Sequence, residues 1–245
     1  MTISRVGIIG YGAFGQLVHE LLSRFAPSID VRVFSSRREP DGKTFFSLEE
    51  TASCDAVFFC VPISAFEETV QKALPHLRPD TVLVDIATVK VHTVNILKKL
   101  AAGRPYVATH PMWGPESVEK RGGNVTGLRI VIADHSIPAN GYASLKAALE
   151  SIGFIVIETT AEAHDMHLAA TLFLTHYVGQ IVSRAGFDRT DIDTVSFGYL
   201  MDAVESVKND TALFADVFKY NPYCEDVLDR FEEKEEEVRA LLDQK

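Results

Sequence analysis

Positive charge is in short supply in this chain. Its 24 lysines and arginines stand against 34 aspartates and glutamates, for a formal net charge of −10. That excludes nucleic acid as the main partner, because phosphate backbones are held by basic surfaces. An anionic small molecule has to be drawn in by a local patch, not by the overall field. Long apolar runs are also missing, and none reaches the roughly 18 residues a membrane helix needs. No basic, apolar leader precedes the first strand, so no secretory signal is expected. Cysteine is limited to Cys54, Cys60 and Cys224, an odd number without metal-ligand spacing. Reduced thiols, no metal site and a cytoplasmic location are the expectation. Internal repeats and disordered linkers are not evident.

What the chain does have is 47% hydrophobic residues over 245 positions, enough for one large domain and a small one. Arg5-Val6-Gly7-Ile8-Ile9 is a short apolar run of the kind a buried parallel strand shows. It leads directly into Gly10-Tyr11-Gly12-Ala13-Phe14-Gly15, and an amphipathic helical pattern follows from Gln16 to Phe25. In a G-x-G-x-x-G turn between strand and helix, the first glycine allows the tight turn. The second lets the backbone approach a pyrophosphate, and the third lets helix and strand pack closely. The pyrophosphate rests on the positive helix end. Gly10, Gly12, Ala13, Phe14 and Gly15 are therefore cofactor-binding candidates. A second strand, Asp30 to Phe34, ends in Ser35-Ser36-Arg37-Arg38, where an NAD-selective site would carry an acid. Two hydroxyls followed by two arginines suit a 2′-phosphate, so NADP is the expected cofactor.

Further apolar runs at Ala56–Pro62 and Thr81–Ile86, with a helical pattern from Phe66 to Leu77 between them, continue a strand–helix alternation. The fold class is α/β, with a doubly wound parallel (Rossmann) sheet and ligands beyond the carboxyl ends of the strands. Cys60, Val61 and Pro62 fall on that rim, as do Ala87-Thr88-Val89-Lys90 and His110. A short strand, Pro105 to Thr109, feeds His110, a loop histidine held between Pro111 and a Gly114-Pro115 corner. Strands at Leu128–Ala133 and Phe154–Glu158, around a helix near Tyr142–Ser151, complete the sheet. Thr159-Thr160-Ala161-Glu162 reads as a capping box, opening a long helix to about Ala185. Residues 196–219 and 221–245 read as further helices, divided at Asn221-Pro222. The expected domains are 1–160, binding the dinucleotide, and 161–245, helical. A helical unit of about 85 residues has difficulty burying its apolar faces alone, so a homodimer through these helices is expected.

With these residues in hand, the chain resembles the prephenate/arogenate dehydrogenases of tyrosine biosynthesis, plant-type arogenate dehydrogenases above all. The likeness rests on the glycine turn, Asp85-Ile86-Ala87-Thr88-Val89-Lys90, and Thr109-His110-Pro111-Met112-Trp113-Gly114-Pro115-Glu116-Ser117. Ala163-His164-Asp165, Phe173-Leu174-Thr175-His176 and Tyr220-Asn221-Pro222 extend it. The resemblance implies oxidative decarboxylation of a cyclohexadienol. Hydride passes to a nicotinamide, carbon dioxide leaves, and the ring becomes aromatic. His110 is then the base for the hydroxyl proton, since imidazole titrates near neutrality. Thr88 stands where the family has a hydroxyl-bearing serine. His176 and Glu116 match substrate-side positions. His164 and Asp165 could equally cap the first turn of their helix. The Gly-Phe-Arg-Asp motif, whose arginine binds substrate carboxylate in many bacterial members, is lacking; Lys90, Arg184 or an arginine of a second subunit are the alternatives. Asp193 falls where plant-type members carry an acid that selects arogenate, whose ammonium it would meet, over the keto acid prephenate. Its other reading is a helix N-cap. Two further functions compete with this one: another Rossmann reductase with a helical dimer domain, and a catalytically silent NADP-binding regulator.

Overall fold

In the computed structural model of the protein, which describes residues 3–101 and 103–243, seven strands form one sheet. They are β1 (Arg5–Ile9), β2 (Asp30–Phe34), β3 (Ala56–Phe59), β4 (Val82–Asp85), β5 (Tyr106–Pro111), β6 (Arg129–His135) and β7 (Ile155–Glu158). Their spatial order is β2-β1-β3-β4-β5-β6-β7. The helices among them are α1 (Ala13–Phe25), α2 (Leu48–Ala52), α3 (Phe66–Ala73), α4 (Val91–Leu100), α5 (Pro115–Glu119) and α6 (Ala139–Ile152). The chain divides into two compact units, Met1–Ala161 and Glu162–Lys245.

The first five strands are parallel, as their apolar runs predict. β6 departs from the wholly parallel sheet expected: it runs antiparallel to β5, and β7 then follows β6 in parallel. The reason lies in the connection. A parallel neighbour needs a crossover of a dozen or more residues, usually helical. Residues 112–128 between β5 and β6 are long enough for a crossover, but their only helix is the five-residue α5, whereas β6 and β7 are joined by the 14-residue α6. The core lies on both faces of the sheet. Phe59 and Phe66 are fully buried and meet edge-on at 5.7 Å. Burial of such a side chain contributes about 1.5–3 kcal/mol.

The helical unit comprises α7 (Ala161–Leu168), α8 (Leu174–Arg184), α9 (Val195–Val207), α10 (Thr211–Tyr220) and α11 (Cys224–Leu242). The single long helix expected to Ala185 is interrupted by a π-turn at Ala169–Phe173. The single helix expected over 196–219 is two helices, broken at Lys208–Asp210. Buried Gln180 on α8 accounts for the break. Its Nε2 donates to the carbonyls of Val207 and Lys208, both at 3.1 Å, satisfying acceptors that a helix end leaves open. Gly179 lets α8 and α9 meet closely, since a Cβ there would lie 2.4 Å from Val207 Cγ2. On α11, Val227 is buried, while Val238 and Leu241 are exposed.

Candidate active site

Strand register builds the rim. Ile9 pairs with Phe59, Phe59 with Asp85 and Asp85 with Ala108. Gly10, Cys60 and Ile86 therefore leave the sheet along one edge, level with Thr109 of β5. The glycine turn follows β1, between β2 and β3. Gly10 has φ +103°, and a Cβ there would fall 2.2 Å from the Cys60 carbonyl oxygen. A Cβ on Gly15 would fall 2.3 Å from the Gly10 carbonyl oxygen. Gly12 behaves differently: nothing lies within 4 Å of where its Cβ would be. It is the N-cap of α1 and offers no side-chain cap, so the first amides of the helix face an open cradle that a Cβ would fill. A dinucleotide pyrophosphate fits this donor set, with Ala13, Phe14 and Gly15 following the cap. Gly12→Ala is therefore expected to weaken dinucleotide binding by about tenfold or more, with little change in melting temperature. Isothermal titration beside a thermal melt checks this; equal affinity in the variant removes the pyrophosphate from Gly12.

Around the cradle, the backbone amide of Gly10 donates to the Phe34 carbonyl at 2.9 Å, tying the turn to the end of β2. The next residues form a tight turn: the Arg37 amide donates to Ser35 Oγ at 3.3 Å, and the Arg38 amide to the Ser35 carbonyl at 3.2 Å. Ser36, Arg37 and Arg38 are exposed. Cys60 is a free thiol, and burial pushes its pKa far up, so it is a neutral side chain and not a nucleophile. Val61 is half-buried and Pro62 exposed beside it.

Beneath the rim lies a buried polar network that the sequence reading did not anticipate. Asp85, at the end of β4, accepts from the Ala87 amide at 2.7 Å, Thr93 Oγ1 at 2.6 Å and Lys90 Nζ at 2.5 Å. Lys90 Nζ also donates to the Thr109 carbonyl at 2.7 Å, and Thr109 Oγ1 donates to the Asp85 carbonyl at 2.8 Å. Lys90 and Asp85 are both 0% exposed. The expectation that Lys90 binds substrate is thus corrected: its ammonium is committed beneath the rim, holding the peptide next to His110. An aspartate closing an apolar strand, five residues before a lysine, was the available signal.

His110 is not the loop residue expected. β5 continues through Pro111, and His110 pairs with Val131 of β6. The pairing skips Ala133, so the register shifts between Ala108 and Thr109, immediately before the histidine. Such irregularities re-aim side chains and are common beside active sites. His110 is 6% exposed, and half-buried Thr88 belongs to the same rim. Past the strand, Trp113 stacks on Phe154 (5.6 Å, 1°) and leans on Phe14 (5.6 Å). These rings connect the loop after His110 to the first turn of α1. Glu116 is exposed on α5.

In the helical unit, His176 is buried on α8, and its Nδ1 has no hydrogen-bond partner among the described residues. Burial lowers its pKa, and the charge of Asp210 opposes that fall. Asp210 is exposed at the start of α10, where its side chain makes no cap hydrogen bond. Asp193 is placed otherwise. Its carboxylate accepts from the amide and hydroxyl of Thr190, at 3.0 and 2.9 Å. Nor is it the N-cap of the next helix, because Thr194 caps α9 through the Phe197 amide. The acid whose charge reaches His176 is Asp210, which sequence reasoning missed because 34 positions and a helix break separate the two. His164 and Asp165 form a buried pair at 2.8 Å, and Asn221 Nδ2 donates to the Asp165 carbonyl at 2.8 Å.

Comparison with known proteins converges on this arrangement. Residues 43–126 match the family model described as prephenate dehydrogenase, nucleotide-binding domain. Residues 181–245 match one described as TYRAAT1-like, C-terminal domain. Arogenate dehydrogenase 2, chloroplastic, of Arabidopsis thaliana is 27% identical over 97% of this chain and 70% of its own length. Arogenate dehydrogenase 1, chloroplastic, of the same plant is 28% identical over 97% of this chain, which spans 39% of that protein. The fold matches the crystal structure of Aquifex aeolicus prephenate dehydrogenase in complex with hydroxyphenyl propionate and NAD+, with a TM-score of 0.74 at 20% identity over 99% of this chain and 91% of that one. The chain is thus similar in sequence to arogenate dehydrogenases along almost its whole length, and in fold to a prephenate dehydrogenase.

Proposed function

We propose that the chain is an NADP-dependent arogenate dehydrogenase that forms tyrosine by oxidative decarboxylation. The observation that carries this reading is the placement of His110 and Thr88 on the rim that holds the glycine cradle. A nicotinamide dinucleotide supplies the hydride acceptor. His110 takes the proton of the ring hydroxyl as the hydroxyl-bearing carbon gives up its hydride, and Thr88 orients that hydroxyl through its own. Loss of carbon dioxide then leaves the aromatic ring. Asp85 and Lys90 act through the Thr109 peptide, as positioning residues. Ser35, Ser36, Arg37 and Arg38 support NADP, because the end of β2 presents hydroxyls and guanidinium groups and no acid. Turnover of arogenate and of prephenate, each with NADP+ and NAD+, tests the whole assignment; the best rate with prephenate or NAD+ overturns it in that respect, and no turnover favours a silent regulator.

Substrate preference turns on the charge of one side chain. Arogenate carries an ammonium where prephenate carries a keto group, so a selecting pocket presents an acid there. Asp210, whose charge acts on buried His176, suits this role better than Asp193, whose Oδ1 already accepts two hydrogen bonds from Thr190. A charge-assisted hydrogen bond contributes about 1.5–3 kcal/mol, or roughly 10- to 150-fold. Asp210→Asn is expected to shift kcat/KM towards prephenate by that factor, with Asp193→Asn close to wild type. The opposite outcome returns the role to Asp193. The exposed side chains of Ile181, Ile192, Val195 and Tyr199 support a homodimer through this unit. The three free cysteines suit the reducing cytoplasm. Among the described residues, no helix is long and apolar enough to cross a membrane.

A further inference from the structure

The segment after the Ser35–Arg38 turn has an organisation the function has not yet used. Asp41 Oδ1 accepts from the amides of Lys43, Thr44 and Phe45 at 2.8, 2.8 and 2.9 Å, folding the chain back on itself. The returning residues pair alongside β2: the Val33 amide donates to the Thr44 carbonyl and the Phe46 amide to the Val33 carbonyl, both at 2.9 Å. This parallel bridge between Val33 and Phe45 fixes Phe45 at the edge of the sheet. The Phe45 ring meets Tyr11 of the glycine turn edge-on, with centroids 5.1 Å apart and planes at 89°. The guanidinium of Arg38 lies over the same ring, 5.8 Å from its centroid. An exposed arginine thereby gains a fixed aromatic platform next to the cofactor cradle. A ring face attracts a cation through its quadrupole and leaves the N–H edge of a guanidinium open to an anion.

We propose that Phe45 is a positioning residue for cofactor choice, holding Arg38 at the carboxyl end of β2 so that its guanidinium can read a 2′-phosphate. The inference rests on the NADP reading and adds a residue whose side chain makes no polar contact. An exposed cation–π contact is worth about 2- to 5-fold in affinity. The test is titration of NADP+ and NAD+ against the full chain, as wild type, F45L, F45W, R38A and F45L/R38A. F45L keeps apolar bulk against Tyr11 but removes the ring face. It should raise the Kd for NADP+ by about 2- to 5-fold, leave that for NAD+ unchanged, and be rescued by F45W. In the R38A background, F45L should have no further effect, because two substitutions acting through one contact are not additive. Equal weakening of both cofactors in F45L, an unchanged ratio, or full additivity with R38A overturns the role of Phe45. Wild-type protein without preference for NADP+ overturns the underlying cofactor reading and this inference with it, before any variant is made.

Discussion

His110→Ala is expected to lower kcat by about 10²- to 10⁴-fold, the usual range for a removed general base, while dinucleotide binding persists. The backbone of His110 is held by its pairing with Val131, independently of the side chain. The glycine cradle is built from other residues, Gly10, Gly12 and Gly15. Loss of the imidazole therefore removes the proton acceptor without dismantling the rim. Because the side chain is only 6% exposed, alanine also leaves a void, and His110→Gln, which fills most of it, serves as the companion variant. Both should retain cofactor affinity by titration and both should be slow in steady-state turnover. Near wild-type kcat in either variant removes His110 from proton transfer.

Lys90→Met should cost about 3–5 kcal/mol of stability, the range for breaking a buried ion pair from one side. For a domain of this size, that corresponds to a fall in Tm of about 6–20 °C. Methionine fills the volume of the lysine stem, so the loss is electrostatic: Asp85 would keep its charge in a fully buried position with, among the described residues, the Ala87 amide and Thr93 hydroxyl as its remaining side-chain donors. Asp85→Asn in the same chain should recover part of the loss, since the amide oxygen can still accept from Ala87 while the uncompensated charge is gone. Activity should fall as well, because the Thr109 carbonyl next to His110 loses its donor. Thermal melts of the two variants decide this; a Tm for Lys90→Met within 1 °C or so of wild type would show that the ammonium is not what compensates Asp85.

The sequence by itself determined the elements whose causes are local. The Gly10–Gly15 turn was legible because its φ of +103° at Gly10 and its close approaches at Gly10 and Gly15 demand glycine at those positions whatever surrounds them. The first five strands were legible because a strand buried on both faces is apolar throughout, and the family motif around His110 is contiguous in the chain. Tertiary structure decided the rest. Lys90 looks like a cation available to substrate until Asp85, five positions back, and the Thr109 carbonyl, 19 positions on, enclose it. The helix expected over 196–219 breaks because Gln180, from another helix, satisfies its carbonyls at Val207 and Lys208. Asp193 engages Thr190 three residues away, and the charge of Asp210 reaches His176 only through the fold. Backbone preference and periodicity act over a few residues and can be read in order; burial, charge pairing and strand direction depend on partners that only the folded chain brings together.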